Sequence, residues 1–360
     1  MESLLEWPGA TIEAFGEACA QLAFGPDPFH RPRLAPTPRD TVWADGTAQL
    51  YRFRHPDGIA PRDTRPVLLV PSMINRWYVL DLRPGASLVH ALVQHGFDVF
   101  CLDWGVPRDE DRYITWDDVL ARLDRVTRFV QRTTGSTSLG LVGYCMGATL
   151  SAIHAALNPT RVAALVNLAG PIDFSLGGAL TTFVNPRWFD PEAVTAPGNL
   201  PSLQMQGGFA ALRPTAQIAK AVARVDRADV ASQEAFAALE QWSSDNVAFP
   251  AAAYVTYIRE LYQRNDLIRG THHVRGRRVD LSLITAPVLS ITADRDAICP
   301  PAAADAILAA VSSHVKQRLS IPGGHVGAVV GSRATQKLYP ALADWLGNTL
   351  ATRDVVAHDR

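Results

Sequence analysis

Three residue types that together can carry an acyl group are spaced along this chain: a cysteine, an acid and a histidine. Gly143-Tyr144-Cys145-Met146-Gly147 is a Gly-x-nucleophile-x-Gly sequence with cysteine at its centre. Ser138 to Val142 reads as a short buried strand, and Ala148 to Leu157 as a helix that stops before Pro159. Strand, tight turn and helix are the context that a nucleophile elbow requires. At the helix start, the dipole and free N–H groups favour a thiolate, so the chemistry expected is acyl transfer through a thioester. A free cysteine is more often a small buried hydrophobe, so the reading needs a base and an acid to support it.

In such an architecture the order along the chain is nucleophile, acid, histidine. Asp294-Arg295-Asp296-Ala297-Ile298-Cys299-Pro300 follows a late strand-like run. Asp296 is preferred as the acid because acid loops in such hydrolases commonly read Asp-x-Ile/Val-x-Pro; Asp294 is expected to bond loop amides. The base is His325, set among Gly323, Gly324 and Gly327 after the last strand. Of ten histidines, it alone combines that position with glycine flanks. Two backbone N–H groups must face the developing oxyanion. Met146 supplies one; Ser72 or Met73 supplies the other, with Met73 favoured by position. Both methionine side chains are expected to pack.

The elements that must position these groups alternate. Thr47 to Arg54, Val67 to Val70, Asp98 to Leu102, Val162 to Leu168, Pro287 to Thr292 and Val315 to Ile321 read as strands. Ser87 to His95 and Trp116 to Arg132 read as helices. This rhythm implies a mostly parallel sheet covered by helices on both faces. It breaks between 171 and 280, which reads as an inserted, mainly helical cap. The expected divisions are 1–40, an amino-terminal helix (Ile12, Phe15, Cys19, Leu22 at helical spacing) and a Pro-rich connector; 41–170, the first part of the core; 171–285, the cap; and 286–360, the second part. Gly177-Gly178 and Gly207-Gly208 read as flexible cap turns, and His272-His273 as a polar surface pair.

Composition bounds the partners. The 360 residues are 48% hydrophobic and 19% charged with a net charge of −1, an ordinary globular balance with no signature for nucleic acid. Four scattered cysteines without a Cys-x-x-Cys pair argue against zinc or a disulfide framework and fit a reducing cytoplasm. No stretch reaches the apolar length of a membrane span, and acidic residues stand where a secretory signal would be basic.

Further motifs make the chain recognisable. Val70-Pro71-Ser72-Met73-Ile74-Asn75 with Tyr78 to Leu82, Leu102-Asp103-Trp104-Gly105, Trp242-Ser243-Ser244-Asp245 leading to Phe249-Pro250, Tyr257 to Leu267 and Gly276 to Leu281 resemble segments of polyhydroxyalkanoate synthases. These are bacterial polyester polymerases with an α/β-hydrolase core and a Cys-Asp-His triad. The resemblance runs from about Pro36 to the carboxyl terminus. It implies an α/β-hydrolase fold, Cys145, Asp296 and His325 as the triad, and 3-hydroxyacyl-CoA as substrate with no other cofactor. It also implies a homodimer, a separate helical partner subunit of the kind short synthases use, and a place at the surface of cytoplasmic polyester granules. Two departures stand out: Ala148 where a second glycine is usual, and Ala297 where a histidine often follows the acid. A cysteine hydrolase of the dienelactone hydrolase or thioesterase kind, and a non-catalytic granule scaffold, are the competing readings.

Overall fold

The computed structural model describes residues 32–211 and 230–351; the expected amino-terminal helix lies outside them. Eight strands form one sheet: β1 (Arg39–Asp45), β2 (Ala48–Phe53), β3 (Val67–Val70), β4 (Val99–Asp103), β5 (Leu139–Tyr144), β6 (Val162–Leu168), β7 (Val288–Ala293) and β8 (Lys316–Ile321). Their order is β1-β2-β4-β3-β5-β6-β7-β8. The first two pairings, β1 with β2 and β2 with β4, are antiparallel, and all others are parallel.

The sequence explains the layering. β3, β4, β5 and β7 are buried along their whole length, and β6 nearly so. Continuous apolar runs of this kind suit parallel strands covered on both faces. On one face lie α2 (Trp116–Thr134) and α3 (Met146–Leu157), whose Leu123 and Ile153 join a core cluster with the cap residues Phe249 and Tyr257. On the other lie α1 (Leu88–Gln94) and α5 (Tyr339–Leu350), through Leu92 and Leu346. α4 (Pro301–Ala310) completes the first face beside β7. Thr115 and Asp118 exchange hydrogen bonds as a capping box at the start of α2, and Gly135 ends it at φ 70°.

Between β6 and β7 the chain leaves the sheet. The described part holds helices Ala179–Phe183, Pro191–Thr195, Ser202–Ala211, Val230–Ser244 and Ala251–Thr256, followed directly by a π-helix at Tyr257–Gln263. Three details differ from the sequence reading. β1 stands partly within the stretch read as connector. Gly207 and Gly208 lie inside helix Ser202–Ala211 rather than in a turn. His272 is fully buried, bonded at Nδ1 to Glu260 (2.9 Å) and accepting from Trp116 Nε1 (3.2 Å) at Nε2; only His273 faces solvent. The buried Trp116 indole supplies a partner that local sequence does not show.

Candidate active site

β5 ends at Tyr144 and α3 begins at Met146, so Cys145 alone makes the turn. Its backbone sits at φ 56°, ψ −129°, which costs a non-glycine residue of order 1–3 kcal/mol. The turn is held by Cys145 N donating to Leu168 O and Ala148 N donating to Cys145 O, both at 2.9 Å. The flanking glycines are steric necessities. A Cβ at 143 would lie 2.3 Å from Ala148 Cα, and one at 147 would lie 2.0 Å from Val70 O. Ala148 is accommodated because residue 170 is glycine: a Cβ there would lie 2.3 Å from the Ala148 methyl.

His325 and Asp296 come from the loops after β8 and β7. Nδ1 of His325 is 2.6 Å from Asp296 Oδ2. The other carboxylate oxygen accepts from the amides of Ile298 (2.8 Å) and Cys299 (2.9 Å), so the acid is fixed before it orients the base. The Tyr144 ring stacks on the imidazole, with centroids 5.3 Å apart and planes at 29°. His325 Nε2 is buried and makes no fully aligned hydrogen bond among the described residues; it is the nitrogen left for the thiol. Burial opposes charge on His325, but the Cys145 sulfur and the Asp296 carboxylate outweigh it and raise the imidazole pKa to about 10. The thiol thus acts on the charge of the ring, while Nε2 accepts no hydrogen bond from a described residue.

Asp294 stays outside this constellation. Its carboxylate accepts from Gly323 N (2.7 Å), an amide that holds its pKa below the usual range. The contact ties the acid loop to the histidine loop, the role expected for it.

Met146 is the first residue of α3, where a backbone N–H has no acceptor within its own helix. The Met73 side chain packs in the core and walls a small crevice with Thr47 and Trp104. Its neighbour Ile74, which the sequence did not single out, is the one that faces Cys145 across a cavity. The loop carrying both is pinned from several sides. Trp104 Nε1 donates to Pro71 O (2.9 Å), Trp242 Nε1 to Arg76 O (2.9 Å), Val247 N to Ile74 O (3.2 Å) and the Tyr78 hydroxyl to Asp245 (2.8 Å); the Asn75 amide donates to Asn246. Two of the sequence motifs quoted above are therefore the two halves of one cap-to-core clamp.

Two cavities meet at the sulfur. One, of about 250 Å³, is apolar: Ile74, Met146, Leu180, Phe249, Tyr257 and Ile258 are among its walls. The other, of about 550 Å³, is more polar and includes Asn75, Gln206, Glu240, Ser243, Asn246 and His325. Cys145 and Ile298 are the residues common to both. Such an arrangement offers a nucleophile, a base, an orienting acid, a greasy chamber and a wetter approach.

A family described as "alpha/beta hydrolase fold" matches residues 65–332, and one described as "Poly-beta-hydroxybutyrate polymerase (PhaC) N-terminus" matches residues 33–92. The "Poly(3-hydroxyalkanoate) polymerase subunit PhaC" of Allochromatium vinosum is 32% identical over 316 residues, covering 86% of this chain and 88% of that protein. The chain belongs to the poly(3-hydroxyalkanoate) polymerase family. The protein of the same name from Haloferax mediterranei is 33% identical over 324 residues, 88% of this chain, which spans 65% of that relative's length. Among solved structures, a soluble variant of monoglyceride lipase from Saccharomyces cerevisiae aligns with a TM-score of 0.55 at 15% identity, covering 90% of this chain and all of that one. A likeness so distant in sequence shows the α/β-hydrolase fold alone. In this polymerase-family chain, no helix among the described residues is long and apolar enough to cross a membrane.

Proposed function

We propose that this chain polymerises 3-hydroxyacyl-CoA into polyhydroxyalkanoate with release of CoA, through an acyl group carried on Cys145. The observation that carries the reading is the cysteine elbow, backed by a histidine–aspartate pair at 2.6 Å, placed where an apolar chamber meets a polar cleft. His325 Nε2 takes the thiol proton, and Asp296 holds the tautomer and stabilises the imidazolium. The thiolate attacks the thioester carbonyl while the Met146 and Met73 amides hold the oxyanion. The C–S bond to CoA breaks, and the departing CoA thiolate takes the proton from His325. Exchange of one thioester for another is nearly balanced in energy, so the acyl group stays activated without any further cofactor. His325 then removes the proton of an incoming 3-hydroxyl, whose oxygen attacks acyl-Cys145; the C–S bond to Cys145 breaks, the Cys145 thiolate takes the proton back from His325, and the ester chain is one unit longer. Residues 171–285 act as the lid that keeps water from this intermediate. A homodimer, a helical partner subunit and a place at the polyester surface complete the proposal.

Incubation with radiolabelled 3-hydroxybutyryl-CoA, following protein-bound label, polymer, free acid and CoA, tests it. Polymer and label that both vanish in Cys145→Ala support the polymerase. Free acid without polymer assigns a hydrolase instead, and CoA release that survives Cys145→Ala removes the cysteine mechanism.

A further inference from the structure

The apolar chamber holds few polar atoms besides the two thiols, and most of those are spent. The hydroxyls of Tyr257 and Tyr262 hydrogen-bond each other, and Gln204 is exposed. Tyr254 differs. Its side chain is 8% exposed and lines the same chamber as Cys145, yet its hydroxyl makes no hydrogen bond to any described residue. Its ring is fixed by an edge-on contact with Phe249, centroids 5.4 Å apart at 75°, and its backbone N–H by Pro250 O at 2.9 Å. Burial pushes the phenol up to about 12, so it remains a neutral group able to donate and accept. It stands on helix Ala251–Thr256, which runs directly into the π-helix bearing Tyr257 and Tyr262.

A 3-hydroxyacyl group entering a chamber of this kind must strip water from its own hydroxyl. Without a partner that loss opposes binding; with a rigid unspent phenol it is offset. Resting on the polymerase reading above, we propose that the Tyr254 hydroxyl binds the 3-hydroxyl of the acyl unit on Cys145 and thereby selects 3-hydroxyacyl over plain acyl thioesters. A site with a buried polar group rejects an analogue lacking the matching one more strongly than any purely apolar wall does.

The test is single-turnover loading of Cys145, read by rapid quench and intact mass, with 3-hydroxybutyryl-CoA and with butyryl-CoA, which differ only in that hydroxyl. The wild-type chain should load the hydroxyacyl ester about tenfold faster or more. Tyr254→Phe, which keeps the ring, should slow hydroxyacyl loading by about tenfold and leave butyryl loading within about twofold, collapsing the preference. Tyr254→His, with a polar atom in reach, should restore part of it. A mere packing role would move both esters together. Normal loading with an undiminished preference in Tyr254→Phe overturns this inference alone. Failure of 3-hydroxybutyryl-CoA to load the wild-type Cys145 overturns the polymerase reading and takes this inference with it.

Discussion

The His325 imidazole keeps its charge far above the ordinary histidine range, to about 10, because Cys145 and Asp296 prevail over burial. A histidine pKa raised on folding stabilises the folded chain; that contribution is full below the ordinary value near 6.5 and is lost as pH climbs through about 10. Cys145 is the strongest of the influences that raise it, so Cys145→Ala should move the imidazole titration, followed by NMR, downward. An unchanged titration would mean that sulfur and ring do not face each other. The same variant should show no acyl adduct by mass. Asp296→Asn keeps the shape but loses charge at Oδ2 and can present the wrong tautomer. It should still load Cys145, whose thiol gives up its proton readily, while elongation, where the proposed base must act on a far less acidic hydroxyl, slows by about 100-fold or more. Equal losses in the two steps, measured by single-turnover and steady-state assays, would contradict separate roles. The placement of these three residues was legible because each sits at a strand end, where chain order and flanking glycines nearly determine where it goes.

Elbow geometry depends on two close approaches as well as on the hydrogen bonds that hold the turn. A methyl at residue 147 would press into the Val70 carbonyl, 2.0 Å from its oxygen. Gly147→Ala should therefore destabilise the fold by about 1–3 kcal/mol, visible as a lowered melting temperature, and should depress loading even where the chain stays folded. A melting temperature and loading rate equal to wild type would show that the helix can back away. The central strands were readable as runs such as Val67-Leu68-Leu69-Val70 because burial on both faces leaves few polar positions to blur them. β1 was not: Arg39-Asp40-Thr41 and Asp45 keep polar groups along a half-exposed edge strand, and prolines precede it. Gly207 and Gly208 misled for a related reason, since a helix with no described residue pressing on either position tolerates residues that locally favour a turn. Tyr254 carried no local signal, and Ile74 stood out only as part of a longer motif, because their shared place beside Cys145 arises only when distant segments close around one cavity.

Across the whole molecule, the segment between β6 and β7, proposed above as a lid, is joined to the core through the loop that follows β3. The indole of Trp242 donates to the Arg76 carbonyl, and the Tyr78 hydroxyl reaches Asp245. Trp242→Phe leaves that carbonyl without its donor, which should cost about 1–3 kcal/mol. The catalytic consequence should exceed the thermal one: a looser lid admits water, so free 3-hydroxy acid should rise relative to polymer. A product ratio identical to wild type would show that the clamp serves stability alone. Ile298 separates two demands that one residue would ordinarily set against each other. Its amide steadies the aspartate, while its side chain stands between the greasy chamber and the wet cleft. Because the carboxylate reads only the backbone, trimming or enlarging that side chain should reshape both chambers while the lock beside it keeps its shape.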